Sequence, residues 1–191
     1  MEAKLILASA SPRRREILQM LGYEFSVIPA TGEERADFSN GVPLAVRRLA
    51  EGKAGEVSAL HNGVVLGSDT VVELHGRVFG KPRDEEEACR MLRSLSGGVH
   101  RVHTGVCVQT GQKMKSFVST AEVEFYPLSD RMIEAYVRTG DPMDKAGAYG
   151  IQGPGCVLVK RINGDFYTIM GLPAAETARL LGGFGVFPPR A

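Results

Sequence analysis

The opening stretch LILASASPRRREIL, residues 5–18, constrains this chain most. A short apolar run ends at Ala8, a Ser/Ala turn follows, and Ser11 and Pro12 suit the cap and first position of a helix. Strand, turn, helix is the opening unit, the building block of sheets covered by helices. Arg13, Arg14 and Arg15 then occupy the helix start, where the macrodipole already places partial positive charge. Each cation there is disfavoured by roughly a few tenths of a kcal/mol, so the run calls for a negative partner.

A chain of 191 residues is long enough for one substantial core, which predicts a single domain over residues 1–191, built as two lobes. The formal net charge of +1 excludes a generally basic nucleic-acid binder, so any anion site is local. Cys89, Cys107 and Cys156 are far apart and form no CxxC pair; neither a disulfide framework nor a thiolate zinc site is expected. The apolar run LILA is too short for a signal-peptide core, and no window approaches a membrane span. A cytoplasmic protein without membrane partners is the expectation.

Along the chain, the first helix is stopped by Gly22, and EFSVIP returns as a second strand. PLAVRRLAEGKAGEV places Leu44, Leu49 and Val57 on one helical face with Lys53 near another, and Gly52 and Gly55 weaken it. GVVLGSDTVVELHGRVFGKP reads as a buried strand, a polar break at Ser68 and Asp69, and a strand pair turning at His75 and Gly76. DEEEACRMLRSL is a helix whose Asp84 and Glu87 have capping-box spacing. Val99 to Phe125 predicts two long antiparallel strands joined at TGQK. SDRMIEAYVRTG is a further helix, INGD an Asn-Gly hairpin turn, and the tail from Pro173 a last helix. The expected fold is α/β (mixed α+β): an elongated central mixed sheet flanked by helices, two lobes with a cleft.

Four places interrupt this pattern with chemistry. Ser9, Ser11, Arg13 and Arg14 combine hydroxyls, guanidiniums and a helix start, a set that suits a polyphosphate or a solvated first turn. Asp69 follows an apolar run at a strand end, where α/β sheets place functional groups; alone it also fits an Asx-turn. Lys81, between Gly80 and Pro82, offers a point charge for a phosphate. In GDPMDKAGAYGIQG, residues 140–153, small residues permit close approach to a flat ligand, and the Gln152 amide can match the imide edge of uracil or thymine. Glu33 and Glu34 add carboxylates of the kind Mg²⁺ takes beside phosphate oxygens. His100 and His103 are three apart in a predicted strand and share no ligand.

Together LILASASPRRREIL, GSDTVV, GKPRDEEEACRMLRSLSG, HRVHTGV and DPMDKAGAYGIQG resemble the Maf family of nucleoside triphosphate pyrophosphatases, from Leu5 to the GLP at Gly171. The resemblance implies a Maf/ITPase-like fold and a house-cleaning enzyme. It would cleave a nucleoside triphosphate between its α and β phosphates, with a divalent cation (Mg²⁺, Mn²⁺ or Co²⁺). DKAGAYGIQG looks like the branch acting on dTTP and UTP, whereas a sister branch acting on 7-methyl-GTP differs there. Carried onto this chain, the resemblance makes Asp69 the general base and Ser9, Arg13, Arg14, Lys53 and Lys81 the phosphate-side residues. It also makes Glu34 a metal-side carboxylate beside Asp69, and ties Arg13, Thr70 and Gln152 to substrate choice. A homodimer is usual for such a family. Competing readings are an inosine or xanthosine triphosphate or 7-methyl-GTP pyrophosphatase, and a non-catalytic nucleotide-binding regulator of septum formation.

Overall fold

The computed structural model describes residues 4–32 and 36–189. The expected acidic residues Glu33 and Glu34 lie outside the described residues. Strand β1 (Leu5–Leu7) is fully buried and runs parallel to both neighbours, β2 (Phe25–Val27) and β3 (Val64–Leu74). Parallel neighbours need crossover connections. Helix α1 (Pro12–Met20) links β1 to β2, and α2 (Val42–Leu60) leads into β3.

β3 turns at His75 and Gly76 into the antiparallel β4 (Arg77–Phe79). Both turn residues have positive φ, +51° and +80°, which a two-residue hairpin with the right strand twist requires. β5 (Val99–Thr110) and β6 (Lys113–Phe125) are neighbours joined by Gly111 and Gln112, a link short enough only for antiparallel strands. β7 (Val159–Asn163) pairs antiparallel with β6. The result is a seven-stranded mixed sheet in the order β2-β1-β3-β5-β6-β7, with β4 on β3.

Two expectations are corrected. β3 is unbroken at Ser68 and Asp69; both are buried within the strand, because each finds a polar partner. Asn163 and Gly164 end β7 without forming a hairpin. Asp165 instead accepts the N–H (2.6 Å) and hydroxyl (2.9 Å) of Thr168 and starts α5 (Phe166–Met170).

The chain divides into two compact units. The first comprises Met1–Asp69, Thr104–Ser119 and Gly171–Ala191. Its core contains Ile6, Ala8, Val65 and Cys107 with Ala50, Ala54 and Val57 of α2. The buried face of α2 is thus largely alanine, where the sequence pattern pointed to Leu44 and Leu49. Small residues let the helix lie close: a Cβ on Gly67 of β3 would stand 2.4 Å from the Ala50 carbonyl oxygen. One on Gly105 of β5 would stand 2.4 Å from that of Val46. Gly52, by contrast, faces open space, and α2 continues through it. Helix α6 (Ala174–Gly182) follows Pro173 as expected.

The second unit comprises Thr70–His103 and Thr120–Met170. Helix α3 (Glu85–Leu95) buries Ala88, Met91, Leu92 and Leu95, spacings that put one apolar stripe on its core. Asp84 caps it by accepting the Glu87 N–H at 2.7 Å, and three glutamates fill the first turn, in line with the dipole. α4 (Asp130–Val137) adds Ile133, Tyr136 and Val137 to the same core.

Candidate active site

The three arginines that open α1 part company. Arg15 is exposed, Arg13 half-buried and Arg14 buried, with 8% of its surface accessible. A buried guanidinium must be hydrogen-bonded to persist. Arg14 Nε donates to the Gly171 carbonyl oxygen at 2.9 Å, and Nη1 donates to Ser9 Oγ at 2.8 Å. Ser9 Oγ also accepts the Ser11 N–H at 3.3 Å, while the Ser11 side chain makes no capping bond of its own. The hydroxyl fastening the turn is therefore that of Ser9.

Ser68, fully buried on β3, donates to the same Gly171 carbonyl at 3.0 Å. Gly171 has φ +104°, a backbone conformation that favours glycine. The start of α1, β3 and the GLP segment are thus tied through one oxygen, and Arg14 joins the turn after β1 to them through Ser9. Sequence reasoning gave Ser68 and Gly171 no role; the glycine two residues ahead of Pro173 is the local signal that could have found the second.

Asp69 follows Ser68. Its carboxylate Oδ1 accepts a direct charged hydrogen bond from Lys53 Nζ, and both side chains are largely withdrawn from solvent, 13% and 14% accessible. The close packing of α2 on Gly67 brings the lysine within reach: Lys53 stands between Ala50 and Ala54, which touch that glycine. A carboxylate held this way has a fixed orientation and a cation beside it.

Thr70, Lys81 and Gln152 belong to the second unit. Thr70 is half-buried, while Lys81 and Gln152 are exposed. The Gly147 N–H donates to the Gly80 carbonyl at 3.0 Å, so the turn carrying Lys81 is bonded to the glycine-rich segment ahead of Gln152. A Cβ on Gly147 would stand 2.9 Å from Val72 Cγ2, so this contact also needs glycine. Glu34 lies outside the described residues.

The histidines are separated as their spacing implies. His100 Nε2 bonds the Tyr149 hydroxyl at 2.8 Å and packs edge-on against Phe125, and burial pushes its pKa down to about 4. His103 Nδ1 meets Thr120 Oγ1 at 2.9 Å. Among the described residues no group of three or more His, Cys, Asp or Glu side chains is placed to hold a metal ion.

A buried carboxylate on β3, paired with a half-buried lysine from α2, thus stands within a mixed sheet flanked by helices. The chain belongs to the Maf-like protein family, which residues 4–184 match. It is 49% identical to the dTTP/UTP pyrophosphatase of Bacillus velezensis, across 97% of this chain and 99% of that one. Identity is 53% to the dTTP/UTP pyrophosphatase of Thermococcus gammatolerans (88% and 90% covered) and 47% to that of Aquifex aeolicus (93% and 94%). Among solved structures, that of the Staphylococcus aureus Ham1 protein is similar with a TM-score of 0.43 and 15% identity, covering 64% of this chain and 71% of that one.

Proposed function

We propose that this chain hydrolyses dTTP and UTP to the nucleoside monophosphate and pyrophosphate. The observation that carries the reading is the Lys53–Asp69 pair, a cation-flanked carboxylate largely withdrawn from solvent in the first unit. Near full-length similarity to proteins named dTTP/UTP pyrophosphatase supports the choice of substrate.

In the proposed reaction a water oxygen bonds to the α-phosphorus as the bond from that phosphorus to the α–β bridging oxygen breaks. Pyrophosphate leaves with the bond's electron pair, and Asp69 takes the proton of the water. A triphosphate carries roughly four negative charges that repel such a nucleophile, so cations must offset them. Arg13, Lys53 and Lys81 supply positive charge on the phosphate side, with Ser9 as a hydroxyl ligand and Arg14 beside it. Thr70 and Gln152 take part in base choice, the amide of Gln152 matching the donor and acceptor of a pyrimidine imide.

A divalent cation (Mg²⁺, Mn²⁺ or Co²⁺) fits this reading. Asp69 offers the hard carboxylate oxygens such ions take, and substrate phosphates would supply further oxygen ligands. Glu34 is the proposed second carboxylate. When bound, the ion would neutralise phosphate charge. The three free cysteines suit a reducing cytoplasm, where nucleotide pools are policed, and among the described residues no helix is long and apolar enough to cross a membrane. A homodimer is the proposed assembly.

The test is pyrophosphate release with Mg²⁺ or Mn²⁺ from dTTP, UTP, CTP, 7-methyl-GTP, ITP and dATP, beside an Asp69→Asn control. Release from dTTP and UTP that vanishes in the control is expected. Turnover confined to ITP or 7-methyl-GTP would overturn the pyrimidine reading. Absence of all turnover would favour a non-catalytic regulator.

A further inference from the structure

Residues 141–155 have little regular structure to hold them. They form short 3₁₀ turns at Asp141–Asp144, Ala146–Ala148 and Gly153–Leu158, and glycines 140, 147 and 153 take positive φ. A segment with that backbone freedom must be fastened before it can present a side chain to a ligand at low entropic cost.

The fastening converges on one phenol. Tyr136, near the end of α4, is only 5% exposed. Its hydroxyl donates to Asp141 Oδ2 at 2.6 Å and accepts the Gly150 N–H at 3.0 Å. One bond holds the beginning of the segment and the other holds the chain two residues before Gln152. Lys145 reinforces the first anchor: its Nζ donates to the Asp141 carbonyl, to Asp141 Oδ1 at 3.0 Å and to Asp144 Oδ1 at 2.7 Å.

Packing leaves the ring little room to shift. A Cβ on Gly155 would stand 2.3 Å from the Gly150 carbonyl oxygen and 2.7 Å from the Tyr136 hydroxyl. A Cβ on Gly150 would stand 2.6 Å from Lys145 Cε. Burial, and then the hydrogen bond to Asp141, raise the phenol's pKa, so it remains a donor through the working pH range.

We propose that Tyr136 is a positioning residue for base selection: its hydroxyl ties Asp141 to Gly150 and thereby sets where Gln152 stands. This rests on the reading of Gln152 as the base-facing amide. Tyr136 need not touch the nucleotide. Removing its oxygen leaves the Gly150 N–H without that acceptor and Asp141 without that donor, and the segment relaxes toward other arrangements.

The experiment compares wild type with Tyr136→Phe, which keeps the ring and its packing. Kinetics are measured for dTTP, UTP, CTP and ITP, and amide hydrogen exchange is followed over residues 141–153. The expected result is a loss of about tenfold in preference for the favoured base, carried by KM with kcat nearly unchanged, together with faster exchange at Gly150. Asp141→Asn should shift preference in the same direction. Binding of the same nucleotides to Asp69→Asn and Asp69→Asn/Tyr136→Phe proteins gives the preference without turnover, so failure of the catalytic reading leaves the positioning role tested. An unchanged preference, whether or not the melting temperature falls, would overturn the proposal, as would unchanged exchange at Gly150.

Discussion

Arg14 of α1 and Ser68 of β3 donate to the same acceptor, the carbonyl oxygen of Gly171. The contact joins segments 157 and 103 residues apart in the chain and stands next to Asp69. Arg14 reaches Ser9 as well, so its fork geometry matters along with its charge. A lysine ammonium is a point charge on a longer flexible stem and does not reproduce two bonds in fixed directions.

Arg14→Lys should therefore destabilise the protein by about 2 kcal/mol, the scale of a buried charged hydrogen bond lost without repair. Turnover should fall with it, because the turn holding Ser9 and the strand holding Asp69 share this anchor. Urea denaturation reads the first effect and pyrophosphate release the second. An unchanged midpoint would show that the guanidinium fork does not support the fold.

Lys53→Met keeps an unbranched side chain and removes the cation. Asp69 would then be a buried carboxylate without its partner, a loss that costs about 3 kcal/mol in comparable pairs. Turnover should drop by about 10²-fold or more, since both the orientation of the carboxylate and a positive charge beside the phosphates are removed. Steady-state kinetics with Lys53→Arg as the charge-keeping comparison tests this; equal rates in Lys53→Met and wild type would remove the pair from the reaction.

Two glycine-to-alanine changes should have opposite signs. At Gly67 the added methyl meets the Ala50 carbonyl oxygen at 2.4 Å and the Ala54 nitrogen at 2.8 Å, backbone atoms that move only with the helix. A loss of about 2 kcal/mol is expected, with reduced turnover as Lys53 is displaced from Asp69. At Gly52, on the open side of the same helix, alanine meets nothing and should stabilise by about 0.5–1 kcal/mol. Paired denaturation curves decide; a stable Gly67→Ala protein would mean that α2 can ride higher on the sheet.

What the sequence discloses follows from how local the signals are. Pro12, the Asp84 cap, the His75–Gly76 turn and Pro173 act on their immediate neighbours, and each element begins or turns where they stand. The polar break expected in β3 is absent because its remedy is remote: Ser68 is satisfied by Gly171 and Asp69 by Lys53. The Asn163–Gly164 turn misleads similarly. That Asn-Gly pair also suits a strand end, and only the Asp165 cap on Thr168 shows that a helix follows. Asp69 and Arg14 are legible as candidates by residue type and Lys53 only through the family resemblance, whereas the inward direction of Arg14 depends on Gly171. Tyr136 sits in an ordinary helical apolar pattern, so nothing local distinguished its hydroxyl from any core tyrosine's.

Acid should weaken the fold before its carboxylates titrate, and His100 supplies the reason. Burial lowers its pKa from 6.5 to about 4, and His103, mainly through burial, is shifted in the same direction. Between those two values the unfolded chain binds a proton at this position that the native protein does not, so stability rises with pH across that window. The contribution is fully present above pH 6.5 and is lost as pH falls toward 4. For His100 the whole window corresponds to about 3 kcal/mol, and below it both states are protonated and the dependence from this residue ends. Unfolding free energies measured in urea from pH 4 to 7 should show the slope. His100→Gln, which retains a hydrogen-bonding group near the Tyr149 hydroxyl and does not titrate, should flatten it while lowering stability at pH 7. A slope unchanged in that variant would assign the acid sensitivity to other groups, His103 first.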